Sequence, residues 1–112
     1  MKNIKMKDFF NSEFLISSNK GEKLFKLLNK ELEKGTDITL DFEGVKSTIT
    51  AFFFSGYGPL FKSYEKKELN KRIKFKNLNR GSLQQIETVE ETSELFYVRG
   101  KNNGNNKWYF FI

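Results

Sequence analysis

Leu24, Leu27, Leu28 and Leu32 recur at spacings of three and four, the period of one helix face, with Phe25 at the margin. Asn19 and Glu22 ahead of that run fit a capping box, and Gly35 behind it supplies a left-handed stop. The pattern predicts an amphipathic helix packed on a sheet. The period then changes. Ile38, Leu40 and Phe42 alternate with Thr39 and Asp41, which predicts a strand over Asp37–Phe42. Gly44 turns the chain and Val45 returns to the core. Thr50 to about Tyr64 reads as a helix broken at Pro59, because Pro59 cannot donate to the Ser55 carbonyl and Gly56 and Gly58 weaken the same turn. Pro59 then opens the second piece. Phe52, Phe53 and Phe54 spread over about 200° of such a helix, so they cannot all face one sheet. At least one is expected at the surface or under a neighbouring element, and the C-terminal segment is the expected cover.

The remaining stretches complete the order. Ile4–Phe10 reads as a first strand with Ile4, Met6 and Phe9 inward, Asn11–Glu13 as a turn, and Phe14–Ser17 as a short returning strand. Glu65–Lys71 reads as a polar connection, Arg72–Phe75 as a strand with Ile73 and Phe75 inward, and Asn77–Gly81 as a loop. Ser82 with Gln85 is a second capping box, followed by Leu83, Ile86, Val89 and Leu95 at near-helical spacing. Glu87, Glu90, Glu91 and Glu94 lie on the outer side of that helix. Phe96–Val98 and Trp108–Ile112 look like two strands around Asn-Asn-Gly-Asn, a hairpin signal. Strands alternating with helices imply an α/β domain whose sheet is parallel in part. A core over 4–95 and a strand pair over 96–112 make one domain. That pair closes either within the chain or across a dimer, so the oligomeric state stays open.

A chain of 112 residues suits one core. It is 38% hydrophobic and 30% charged, an ordinary soluble balance, but 13 Phe exceed what a small core needs and leave aromatic area for a partner. There is no Cys, hence no disulfide or thiolate chemistry, and no His, hence neither the commonest general base nor the commonest transition-metal ligand. No cofactor, metal or catalytic residue is expected. No stretch has the apolar length of a signal peptide or membrane span, so the expectation is a cytoplasmic protein with no membrane partner. The net charge of +6 is carried by the segment from Lys62 to Arg80. Lys66, Lys67, Lys71, Arg72, Lys74 and Lys76 are the candidate anion or nucleic-acid contacts there. The competing reading is a solvated edge whose lysines block aggregation. No helix-turn-helix or RNP-type pattern accompanies them.

The carboxylates and loops offer little chemistry. Asp41 and Glu43 are two apart and could share a face, yet no third ligand accompanies them. Anchoring a loop at the helix start suits Asp41 better. The run Gly-Tyr-Gly-Pro lacks the spacing of a phosphate loop, and no GxSxG elbow is present. Ser47, Thr48 and Thr50 precede a helix, where hydroxyls cap free amides and where a phosphate would also be favoured.

The stretches GEKLFKLLNKEL, ITLDFEGVKSTITAFFFSGYGPLF and LNKRIKFKNL, together spanning about residues 20–78, resemble the STAS superfamily of sulphate-transporter and anti-sigma-factor-antagonist domains. The likeness is greatest to the bacterial STAS-like domains of unknown function. It implies a mixed β-sheet with helices chiefly on one face and no enzyme. In the antagonist branch, a Ser in the loop after this strand is phosphorylated by a kinase-like ATPase partner. Aligned from Asp41, that acceptor falls on Ala51, and Thr50 is the only neighbouring hydroxyl. The C-terminal strand pair also departs from the terminal helix common in the superfamily. The leading expectation is a regulatory module that binds a protein through Ser47, Thr48, Thr50, Phe52 and Phe53. The alternatives are a binder of anions or nucleic acid through segment 62–80, and an inhibitor from a phage or mobile element that blocks a host machine.

Overall fold

The computed structural model describes residues 1–98. The predicted strand Trp108–Ile112 and its hairpin loop lie outside the described residues. Strand β1 (Lys2–Lys5) is followed by helix α1 (Met6–Phe10), strand β2 (Phe14–Leu15), helix α2 (Ser18–Glu33), strands β3 (Ile38–Asp41) and β4 (Ser47–Thr48), and helix α3 (Thr50–Gly56). A 3-10 helix (Gly58–Lys62), helix α4 (Lys66–Arg72), strand β5 (Ile73–Lys76) and helix α5 (Arg80–Ser93) complete the order, and α5 runs into a π-helical turn (Glu94–Val98).

The sheet order is β1–β3–β5, with β2–β4 as a separate ribbon. All pairings among the described residues are parallel, where the resemblance implied a mixed sheet. The register aligns Ile4, Leu40 and Phe75 in one row and Ile38 with Ile73 in another. These rows form the inner face. The central strand's Ile38 and Leu40 are fully buried, and Leu24, Leu28 and Leu32 of α2 join the same core. The alternate rows, Asn3–Thr39–Lys74 and Lys5–Asp41–Lys76, form the polar face.

Helix α2 ends as its sequence predicts. Gly35 takes φ +83°, its amide donates to the Leu32 carbonyl at 3.0 Å, and the Thr36 amide donates to the Glu31 carbonyl at 2.9 Å. These two bonds are a Schellman closure. Its start differs: Ser17, not Asn19, caps the helix, accepting from the Lys20 amide at 3.1 Å. Helix α5 shifts in the same sense. Asn79 caps it by accepting from the Ser82 amide at 2.8 Å, which leaves the Ser82 hydroxyl for another partner.

The predicted first strand stops early. Met6 and Phe10 are i and i+4, so the turn of α1 puts both against the core, with Met6 fully buried and Phe9 left exposed. Asn11 ends that turn at φ 51°, in the left-handed region that Asn tolerates. Residues 66–72 form a helix where a polar connection was expected, because Leu69 gives that stretch a buried anchor. In α5 the inward residues are Ser82, Ile86, Val89 and Ser93, whereas Leu83 and Leu95 are exposed. The stretch 96–98 continues α5 as a π-helical turn and is not a strand.

The break at Pro59 falls as predicted, with Pro59 in the first turn of the 3-10 helix. Gly21 and Gly56 let α2 and α3 touch backbone to backbone. A Cβ on Gly21 would stand 2.5 Å from the Phe52 carbonyl oxygen, and one on Gly56 would stand 2.9 Å from the Gly21 carbonyl oxygen.

Candidate functional site: the β2–β4 corner

Strand β4 lies beside β2, pairing Ser47 with Phe14 and Thr48 with Leu15. Side chains alternate across such a ribbon. Leu15 and Thr48 therefore face inward and are buried, while Phe14 and Ser47 face outward. One step further, Ile16 and Ile49 also point to solvent. Phe14, Ile16 and Ile49 are 48%, 50% and 37% exposed, so one small surface carries three large apolar side chains.

Glu13 holds the ribbon in place. Its carbonyl accepts from the Lys46 amide at 2.7 Å, and its carboxylate ion-pairs with Lys7 and Lys46, both at 3.3 Å. The hydrogen bond from Lys7 is the main cause that lowers the Glu13 pKa, followed by that from Lys46.

Thr48 does not cap α3. Its hydroxyl donates to Gln85 Oε1 at 2.6 Å and lies 2.7 Å from the Ser82 hydroxyl, while Gln85 Nε2 donates to the Thr48 carbonyl at 3.1 Å. These bonds tie the corner to α5. The cap position of α3 is Ile49, which offers no side-chain oxygen. The expected capping by Ser47, Thr48 and Thr50 is thus absent. Thr50 is half-buried in the first turn of α3, and Ala51 beside it is exposed. Phe52 and Phe53 are fully buried, so the corner does not present them to a partner. They pack edge-on at 5.1 Å, with Phe10 against Phe52 and Phe42 against Phe53. Phe54 is the surface phenylalanine of the three, 37% exposed.

Asp41 anchors a turn, as its position suggested, but not at the helix start. Its Oδ1 accepts from the Glu43 amide at 2.9 Å and from Asn77 Nδ2 at 2.8 Å. The Asn77 bond first, and the Glu43 amide next, hold its carboxyl below the ordinary range. Among the described residues no three His, Cys, Asp or Glu side chains gather to hold a metal.

The basic set divides. Arg72 is largely buried, with its Nε 3.2 Å from Asp37 Oδ1 and its Nη2 donating to the Leu32 carbonyl at 3.0 Å. It closes the end of α2 and does not face outward. Lys67, Lys71, Lys74 and Lys76 are exposed and Lys66 is half-exposed. On the acidic helix, Glu90 is committed to the core, accepting from the buried Tyr57 hydroxyl at 2.9 Å. Burial, and then the Glu90 carboxylate, push the Tyr57 phenol far above its ordinary value, so it stays a donor. Among the described residues no helix is long and apolar enough to cross a membrane.

Sequence reading missed Phe14, Ile16 and Ile49 as a surface. Its signal was present in the alternation around Leu15, but Thr48 was read as a cap and not as a strand residue.

Neither a curated protein nor a solved structure matches the chain. A family model described as a STAS-like domain of unknown function matches residues 20–82. The match covers most of α2, then β3, β4, α3, the 3-10 helix, α4 and β5, and ends at Ser82, whose hydroxyl pairs with that of Thr48. With more than half of its length matched, the chain belongs to the family of STAS-like domains of unknown function.

Proposed function

We propose that the chain is a non-enzymatic regulatory module, acting in the cytoplasm, that docks a protein partner on the β2–β4 corner. The observation that carries this reading is the outward row of Phe14, Ile16 and Ile49 beside the exposed start of α3. Apolar side chains clustered with Ser47, Thr50 and Ala51 suit the centre of a protein interface with a polar rim. Ala51 cannot accept a phosphate, so binding here runs without the switch of the antagonist branch. Ser47 and Thr50 carry the hydroxyls on that surface, and Thr50 is the one beside Ala51. A kinase-like ATPase is one partner class, which the resemblance supplies. The test is affinity capture from host lysate with the native chain and with Ile16→Asp/Ile49→Asp, both checked for native circular dichroism. A partner retained by the double variant sinks the reading.

The cations support a second reading, binding of a polyanion. Lys67, Lys71, Lys74 and Lys76 are exposed on α4 and β5 and none forms an ion pair with a described carboxylate. Such binding would fall steeply with salt. An absence of gel retardation of single- or double-stranded nucleic acid at low salt would dismiss it.

A further inference from the structure

Among the described residues the helices leave one face of the β1–β3–β5 sheet uncovered. The buried apolar residues of α2, α3, α4 and α5 gather in one core with Ile4, Ile38 and Leu40 of the opposite face. The outward rows are Asn3–Thr39–Lys74 and Lys5–Asp41–Lys76. On the central strand these positions are filled. The Thr39 hydroxyl donates to the Met1 sulfur at 3.0 Å, and Asp41 is nearly buried under its bonds from Asn77 and the Glu43 amide. On the flanking strands they are exposed, and three of the four are lysines. Lys5 and Lys76 stand two strands apart, about 10 Å between backbones, and Lys74 and Lys76 about 7 Å apart along β5. Neither Lys5 nor Lys76 forms an ion pair with a described carboxylate. Behind Asn77 and the Glu43 amide, the charges of Lys76 and Lys5 also lower the Asp41 pKa, which puts both ammonium groups on the Asp41 side of the sheet.

Lys74 Nζ donates to the Asn70 carbonyl at 2.9 Å, which joins this face to α4 and leaves the ammonium two further protons. Helix α4 runs directly into β5, and its Lys67 and Lys71 lie on the side turned away from the buried Leu69. Five lysines from β1, β5 and α4 therefore form one band. Asp41 is the one carboxylate within the rows, and Asp8 and Glu43 border the band beyond Lys5, beside Lys7. Such a band complements a polyanion, and its shape selects among them. Single strands are held by stacking their bases on aromatic rings, and neither outward row has a ring. A duplex needs no stacking and presents a phosphate charge every ~1.7 Å along its axis. A flat sheet enters neither groove, so no base edge is read. We infer that this open face, from Lys67 and Lys71 across Lys74 and Lys76 to Lys5, docks the phosphate backbone of double-stranded nucleic acid without reading its sequence. The inference rests on the polyanion reading above and adds the sheet face and the duplex to it. Lys5 carries the addition, because only the sheet register brings it to the basic segment.

The test is fluorescence anisotropy of labelled duplex DNA with the full chain, over a series of salt concentrations. Two duplexes of unrelated sequence should bind within about twofold of each other, and the slope of log affinity against log salt should lie near −4 to −5 for five lysine contacts. Lys5→Gln and Lys76→Gln should each make that slope shallower by about one. Lys26→Ala, an exposed lysine of α2 on the other side of the sheet, should leave it unchanged. Circular dichroism establishes that the three variants are folded. If Lys5→Gln titrates like the parent while Lys76→Gln does not, binding is confined to segment 62–80; the inference falls and the polyanion reading stands. No binding of either duplex at low salt removes both. A single strand of equal length, or poly-glutamate, bound as tightly as the duplex overturns the assignment to double-stranded nucleic acid. A strong preference for one of the two sequences overturns docking by the backbone alone.

Discussion

The hydroxyl of Thr48, on β4, stands 2.7 Å from the hydroxyl of Ser82, in the first turn of α5. With the Thr48 proton given to Gln85, Ser82 is the donor of the pair. Both hydroxyls are nearly buried, so neither has water to fall back on. Thr48→Val keeps the side-chain shape but strands the Ser82 donor and the Gln85 oxygen. It should cost about 1–3 kcal/mol. Thr48→Ser should recover most of that loss. Urea unfolding midpoints measure both, and an unchanged midpoint for Thr48→Val would show that the pair contributes nothing.

Gly21→Ala should destabilise the protein, against the usual direction for a helix interior. Alanine in a helix normally gains about 0.5–1 kcal/mol over glycine. Here the added Cβ would meet the Phe52 carbonyl oxygen at 2.5 Å and the Ser55 Cβ at 2.6 Å, on the backbone of a packed helix. Forcing α2 and α3 apart should cost about 1–3 kcal/mol. The sign decides the matter: a variant more stable than the parent would mean that the helices separate freely.

Most of the fold was legible because periodicity and stop signals are local. The leucines of α2, the Gly35 closure, the alternation of β3 and the break at Pro59 are each written within one turn or strand. The errors share a cause. Met6 suits a strand by alternation and a helix by its i+4 partner Phe10, and only the core beneath decides between them. Ser82 fits a cap by motif, but Asn79 fills that role and frees Ser82 for Thr48, a contact 34 positions away that no local pattern records. The candidate corner was found through its hydroxyls. Phe52 and Phe53 were misplaced onto it because three consecutive rings show only that one must differ, and the surface residue is Phe54.

Acid should weaken the fold partly through Asp41. Its pKa is lowered from an ordinary value of 3.8 by Asn77 and by the Glu43 amide, so its contribution is complete above that value and is lost as pH falls through the folded value. Glu13 and Glu31 are lowered by their lysine partners and act in the same direction. Asn77 sits at φ 61°, where glycine is at ease, so Asn77→Gly removes the amide without backbone strain. It should move the acid-unfolding midpoint to higher pH in a circular dichroism titration. A midpoint identical to the parent's would remove the Asn77 bond as the cause.

Arg72 and its neighbouring lysines should separate cleanly under mutation. Arg72 spans three elements: its chain position ends α4, its Nη2 donates to Leu32 at the end of α2, and its Nε meets Asp37 just before β3. The Leu32 carbonyl also accepts from Gly35, so Arg72 strengthens a closure already made and does not supply it. Lysine lacks the fork needed to reach both acceptors. Arg72→Lys should therefore lower stability by about 1–2 kcal/mol, within the range for a hydrogen bond to a charged group, while leaving any polyanion binding unchanged. Lys67→Glu/Lys71→Glu should do the reverse. Both positions are exposed and form no ion pair with a described carboxylate, so the unfolding midpoint should hold while any retardation of nucleic acid at low salt is lost. Thermal melts and retardation assays on the same preparations read the two effects. If Arg72→Lys abolished retardation at full stability, Arg72 would belong to a binding face and not to the α2 closure.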